Sequence, residues 1–215
     1  QQALRAAPLY SRTMLADVAN ASAHRNVTVV VSPSEELGVA YKQLSKHAFD
    51  RVRAVFAPQV NDDRVSDTVT SLLRSAAVSP RLLHISDAPA ATAVADLIPD
   101  VDGPKIGAAL GIVTDLLERG NRVLLFCSYT SLFPHIRQAF TAGGVEVIEY
   151  DGTLSARERA VVVEQFTADG GPGVLLASDA AAEGLNLGAH CRHSVSLDVP
   201  YTPGRVSQRG GRVWR

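Results

Sequence analysis

Residues 173–215 read GVLLASDAAAEGLNLGAHCRHSVSLDVPYTPGRVSQRGGRVWR. The apolar run Val174 to Ala177 has the length and content of a buried strand. Ser178 and Asp179 end it, and a turn of small residues follows. A second run, Ser194 to Leu197, stops at Asp198 and Pro200. From residue 192 onward Arg192, Arg205, Arg209, Arg212 and Arg215 face a single acid, Asp198. A guanidinium stays charged and matches phosphate oxygens bidentately. Gly210 and Gly211 interrupt a helix and let backbone approach a ligand. Arg212 and Arg215 are three apart, so on a helical turn they point the same way.

Working back from this stretch, strands and helices alternate. Residues 122–127 (RVLLFC) predict a buried strand. A helix follows over 132–141, with Pro134 tolerated in its first turn, and then a strand over 145–149. Ser155 and Glu158 form a capping-box signature for a helix carrying Ala160, Val163 and Phe166. Before them, Lys105 to Arg119 is the clearest amphipathic helix, with Ile106, Ala109, Leu110, Val113, Leu116 and Leu117 at helical spacing and Gly120 as its stop. Apolar runs separated by helices imply βαβ crossovers and a parallel sheet. Ligands in such sheets sit beyond the C-terminal ends of the strands. Ser128, Asp151, Ser178 and Asp198 all fall at such ends.

The first hundred residues read differently. Leu15, Val18 and Ala19 hint at a short helix, and NVTVVV (26–31) predicts a strand from its β-branched run. Ser34 caps a helix with Leu37, Ala40, Tyr41, Leu44 and Ala48 on one face, and 65–77 forms another. The Ala-, Asp- and Pro-rich stretch 86–104 reads as a linker or loose loop with a possible helical turn.

Composition sets bounds. A net charge of −1 means that any nucleic-acid contact rests on local arginine clusters. No apolar run approaches the ~20 residues of a membrane span. Cys127 and Cys191, without paired spacing, suit a reducing, cytoplasmic setting. His190, Cys191, Arg192 and His193 lack the ligand spacing of a structural zinc site, so no metal is expected there.

The terminal stretch resembles motifs V and VI of superfamily 2 helicases, above all the Snf2-type DNA translocases. Gln208-Arg209-Gly210-Gly211-Arg212-Val213-Trp214-Arg215 fills every fixed position of Q-R-x-G-R-x-x-R, and S-D-x-x-x-E-G-L-N-L precedes it. LLFCSYT (124–130) is similar to motif IV. Gln208 stands where DEAD-box RNA unwinders carry histidine. Ala181-Ala182 replaces the usual glycine pair, and Tyr201-Thr202-Pro203 replaces tryptophan-asparagine-proline.

The resemblance implies an α/β, parallel-sheet, RecA-like (P-loop NTPase-like) helicase C-terminal lobe over residues 101–215. A mostly helical connector and protrusion would precede it over 1–100. It further implies Arg212 and Arg215 as arginine fingers, both facing open solvent in this chain. Glu183, Gly184, Gln208 and Arg209 would lie toward ATP, with Asp179 holding a motif VI arginine. Ser128, Tyr129, Gly152, Thr153, Ser178 and Asn186 would contact the backbone of double-stranded DNA, and Arg159 matches the family's arginine in its helix. There is no G-x-x-x-x-G-K-[ST] phosphate loop and no acid pair for Mg2+. Those parts belong to a first RecA-like lobe, the expected partner. This reads as a fragment or truncated piece whose isolated form does not hydrolyse ATP. The alternative is a non-catalytic lobe that docks protein or nucleic acid.

Overall fold

The computed structural model describes residues 27–56, 60–179, 185 and 187–213. It divides into a helical unit, residues 32–105, and an α/β unit that takes in residues 106–215.

In the helical unit, α1 (Glu35–Phe56) packs against α2 (Asp62–Val78) and α4 (Pro89–Ala95), and the short α3 (Arg81–His84) bridges α2 and α4. The Ser34 hydroxyl accepts from the Leu37 amide at 3.3 Å, and Asn61 caps α2 through the Arg64 amide at 3.1 Å. Leu37, Leu44, Ala48, Val52, Val65, Val69, Ala76, Leu83 and Val94 form one buried cluster. Tyr41 lies beside it and donates its hydroxyl to the Ala76 carbonyl at 2.7 Å. Burial pushes the Tyr41 phenol up to about 12.

Two sequence expectations change here. The stretch 86–104 is not a linker or loose loop, and its possible helical turn is a packed helix. Its alanines build α4, and Ala90, Ala91, Val94 and Ile98 belong to the core. Small side chains let that helix approach α1 closely, so a composition read as flexible is a packing composition. The run 27–31 forms no strand. It finds no ladder partner among the described residues, and Val30 is 69% exposed; β-branching favours a strand only where a sheet receives it. Residues 1–26, including the short helix expected near Leu15, lie outside the described residues.

The α/β unit opens with α5 (Pro104–Glu118). It continues with β1 (Val123–Phe126), a 3-10 turn (Thr130–Leu132), α6 (Phe133–Ala142), β2 (Val147–Tyr150), α7 (Ala156–Thr167), β3 (Val174–Ala177), β4 (His193–Ser196) and α8 (Pro203–Gly210). The sheet is parallel in the order β2-β3-β1-β4. The sequence of each strand matches its place. VLLF and VLLA are central and buried throughout, whereas VIEY and HSVS are edges that tolerate polar residues. Leu124, Phe126, Leu175, Ala177 and Tyr150 share one face with Phe166 of α7 and with Leu185, Leu187 and Val213. Each fully buried Leu or Phe contributes roughly 1.5–3 kcal/mol. The capping box of α7 is present in both directions, Ser155 with Glu158. Its expected apolar face is narrower: Phe166 is buried, Val163 half-buried and Ala160 exposed.

Residues 99–103 are tied to the α2–α3 turn. Arg81 pairs with Asp100 at 2.9 Å and Asp102 at 2.7 Å, and the Gly103 amide donates to Ser79 Oγ at 3.1 Å. A Cβ on Gly103 would strike the Val78 carbonyl oxygen. Gly107, inside α5, has nothing within 4 Å of such a Cβ. The two sites therefore predict opposite signs in denaturant titration. Gly103→Ala should destabilise by roughly 1–3 kcal/mol, and Gly107→Ala should stabilise by about 0.5–1 kcal/mol. Equal effects would contradict this packing.

Candidate functional site

The register of the sheet builds the site. Phe126 lies opposite Ala177 of β3 on one side and Ser196 of β4 on the other. Two residues past that row stand Ser128, Asp179 and Asp198, level with one another on three adjacent strand ends. One cation fills the space among them. Arg209 of α8 donates Nε–H to Asp179 Oδ1 at 2.6 Å. Its Nη1 reaches the Asp198 carbonyl at 2.9 Å and Asp198 Oδ1 at 3.3 Å. Its Nη2 reaches Ser128 Oγ at 2.8 Å and Asp198 Oδ2 at 3.2 Å. A guanidinium has five N–H donors, and these acceptors occupy all of them. The guanidinium carbon lies 5.1 Å from the centre of the Phe126 ring, within cation–π range.

Burial makes this cluster strict. Side-chain exposure is 4% for Arg209, 8% for Asp198 and 18% for Asp179. Desolvation alone would raise the Asp179 carboxyl. The Arg209 hydrogen bond and charge, the Ser128 hydrogen bond and the Arg205 charge outweigh it and hold Asp179 below the ordinary aspartate range. Arg209 likewise sits above its ordinary value: burial opposes its charge, and the two carboxylates outweigh the burial. Burial pushes the neighbouring Cys127 thiol up and Cys191 to about 12, so neither is a ready thiolate.

The expected residues fall into three groups. Arg209 meets Asp179, as the resemblance implied, but its donors are all used inside the lobe, which leaves none for a nucleotide. Gln208, next to it on α8, is exposed. Arg212 is half-buried rather than open to solvent. Its Nη1 donates to the Leu185 carbonyl at 3.4 Å, and its backbone carbonyl accepts from the Leu187 amide at 3.0 Å. Glu183, Gly184, Asn186 and Arg215 lie outside the described residues.

The expected phosphate donors are partly engaged. The Ser128 amide donates to Asp198 Oδ1 at 3.1 Å. Its hydroxyl proton lies within reach of Asp198 Oδ2 at 2.5 Å and Asp179 Oδ2 at 2.9 Å. Both Ser128 donors therefore face carboxylates, a setting that repels phosphate. Thr153 turns its amide and hydroxyl onto Asp151 Oδ1 at 2.8 and 2.6 Å. Ser178 is buried, and its amide donates to the Tyr150 carbonyl at 3.1 Å. Gly152 is exposed and Tyr129 half-buried. Arg159 supplies a cation at this end: it donates to the Gly152 carbonyl at 3.3 Å and lies 5.9 Å from the Tyr150 ring centre. Sequence reading missed Asp198 as the second acid on Arg209. The signal was its place two residues past a strand, like Ser128 and Asp179.

The family model for the helicase conserved C-terminal domain matches residues 108–215. The chain belongs to the helicase conserved C-terminal domain family. Within it, the resemblance is to the RecA-like lobe of Snf2-type members. The DNA repair and recombination protein RAD54-like of Homo sapiens is 34% identical over 122 residues, covering 55% of this chain and 16% of that protein. The ATP-dependent helicase YqhH of Bacillus subtilis (strain 168) is 28% identical over 104 residues, 48% of this chain and 18% of that protein. The chain thus spans less than a fifth of the length of these relatives. Among solved structures, the Sulfolobus solfataricus SWI2/SNF2 ATPase core in complex with dsDNA gives a TM-score of 0.60 at 18% identity, covering 85% of this chain and 36% of that one. The C-terminal part of the Fun30 ATPase domain gives 0.57 at 16% identity, covering 84% and 78%. Among the described residues of this helicase lobe, no helix is long and apolar enough to cross a membrane.

The depressed Asp179 pKa fixes a pH dependence. A depressed folded value stabilises the fold above the unfolded aspartate value of about 3.9, and that contribution is lost as pH falls through the folded value. Denaturant titration of Asp179→Asn should show a deficit against the parent at pH 7 that narrows below about pH 4. A deficit that stays constant down to pH 3 would contradict the ionised pairing.

Proposed function

We propose that this chain is the second motor lobe of an ATP-driven, Snf2-like DNA translocase, with Arg212 and Arg215 as arginine fingers. A first RecA-like lobe, carrying the phosphate loop and the Mg2+-binding acids, completes the nucleotide site. Bound ATP supplies the phosphoryl group whose transfer develops negative charge. The chain's own part is to place cations against that charge.

The observation that carries this reading is the contrast between two arginines on one turn. Arg209 has every donor filled and is fixed to three strand ends. Arg212 follows three residues later and is anchored through its backbone, yet donates only to Leu185 among the described residues, at 3.4 Å. Its Nε is buried and has no hydrogen-bond acceptor there. A guanidinium held at its base, with most donors unused among the described residues, fits an anionic group arriving from outside the lobe. Arg209 is then the positioning residue, and Gln208, Glu183 and Gly184 are the neighbours proposed to face the nucleotide.

On the nucleic-acid side, Tyr129, Gly152, Ser178 and Asn186 remain the proposed contacts to the DNA backbone, with Arg159 as the nearby cation. Such contacts position the duplex and carry no base information. Ser128 and Thr153 contribute there only by relinquishing their carboxylate partners.

In the full-length protein, Arg212→Ala should lower kcat by ~10³-fold while DNA affinity stays nearly unchanged. Arg212→Lys should not restore turnover, because lysine lacks the planar fork. Steady-state ATPase assays at saturating DNA, with DNA binding measured in parallel, check this. Weakened DNA binding with turnover intact would make Arg212 an electrostatic tether and end the finger assignment.

A further inference from the structure

Ser128 occupies the middle of the three-strand row. Asp179 follows β3 on one side and Asp198 follows β4 on the other, because the order of those strands is β3-β1-β4. One hydroxyl therefore meets both acids and the cation between them. It accepts from Arg209 Nη2 at 2.8 Å and has one proton for two carboxylates, at 2.5 and 2.9 Å. Its backbone amide adds a bond to Asp198 at 3.1 Å. The residues adjoining this row, Tyr129 and Ser178, are proposed nucleic-acid contacts. The residue it grips, Arg209, sits on α8 and hands its position to Arg212 through the bond from the Arg212 amide to the Arg209 carbonyl at 3.2 Å.

We propose that Ser128 and Asp198 are positioning residues for α8, and that the Ser128 hydroxyl links the DNA-facing ends of β1 and β3 to the placement of Arg212. This rests on the motor-lobe reading above. Ser128 is thereby reassigned from a phosphate contact to a link inside the lobe. The physical basis is the count of donors and acceptors. Asp198 has two oxygens, and without the Ser128 hydroxyl its Oδ2 keeps only the shared guanidinium, while Oδ1 retains the Ser128 amide. Without Ser128, one Arg209 N–H also loses its acceptor. Arg209 and Asp198 are buried although Ser128 itself is exposed, and a buried donor that loses its partner shifts the group that carries it. A shift at Arg209 is passed directly to the next turn.

The test compares Ser128→Ala, Ser128→Thr, Asp198→Asn and Arg212→Ala in the full-length protein, assayed well below each variant's unfolding temperature. Ser128→Ala should lower kcat at saturating DNA by ~10-fold, the worth of a hydrogen bond to a charged group, and leave the DNA Kd nearly unchanged. Ser128→Thr, which keeps the hydroxyl, should recover most of kcat. Asp198→Asn should lower kcat in the same way. A merely structural role would lower unfolding temperature without this split or this rescue. A weakened DNA Kd with kcat intact would return Ser128 to phosphate contact and overturn the proposal. Equal losses in the Ala and Thr variants would overturn it too. If Arg212→Ala lowers kcat and Ser128→Ala does not, the positioning proposal alone fails. If Arg212→Ala leaves kcat intact, the finger reading fails and the proposal falls with it.

Discussion

A desolvated guanidinium must find an acceptor for every N–H or leave a costly orphan. Arg209 meets that demand only if β1, β3 and β4 end at the same level and α8 returns across them. The ladder pairs that align Phe126 with Ala177 and Ser196 are thus a condition for the ion cluster, and the cluster in turn fixes where α8 begins its last turn. Replacing such a cluster with apolar side chains is often neutral or stabilising, whereas removing one partner from it is costly, by about 3–5 kcal/mol. Net stability is therefore a weak account of its presence. Positional definition of α8 is the stronger one.

The same arrangement divides the C-terminal edge of the sheet into two chemical surfaces. Around Arg209 the charges are internally paired and two carboxylates face inward, which disfavours an incoming anion. On either side, Arg212 and Arg159 each carry donors beyond their hydrogen bonds to the described residues. Arg212 lies on the α8 side and Arg159 on the β2 side. The proposed motor function needs this separation: one cation for a phosphoryl group, another for a nucleic-acid backbone, and a rigid element between them.

Much of this was legible in the sequence. VLLF and VLLA announced central strands because an unbroken apolar run suits only a strand covered on both faces. S-x-x-E announced the start of α7. The Arg209–Asp179 pair followed from the resemblance. Asp198 and Ser128 were not legible as partners, because their meeting depends on register across strands 70 residues apart in the chain. Local pattern carries no register. For the same reason NVTVVV was misread: propensity names a strand, but only a neighbouring edge makes one. The alanine-rich stretch 86–104 was legible only as a possible helical turn in a loose segment, since small side chains serve close helix packing as well as loose turns.

The central claim is that Arg209 and Asp198 act as one unit, and a double-mutant cycle tests it most directly. Native-state hydrogen exchange at the Cys127 and Leu197 amides, which bond to Ala177 and Phe126 beside the cluster, reports local stability there. Arg209→Met, Asp198→Asn and the double variant should show a coupling of about 0.5–3 kcal/mol, the double losing clearly less than the sum of the singles. Losses that add to within about 0.3–0.5 kcal/mol would mean the two residues act independently, and the account of α8 as a clamped element would be contradicted.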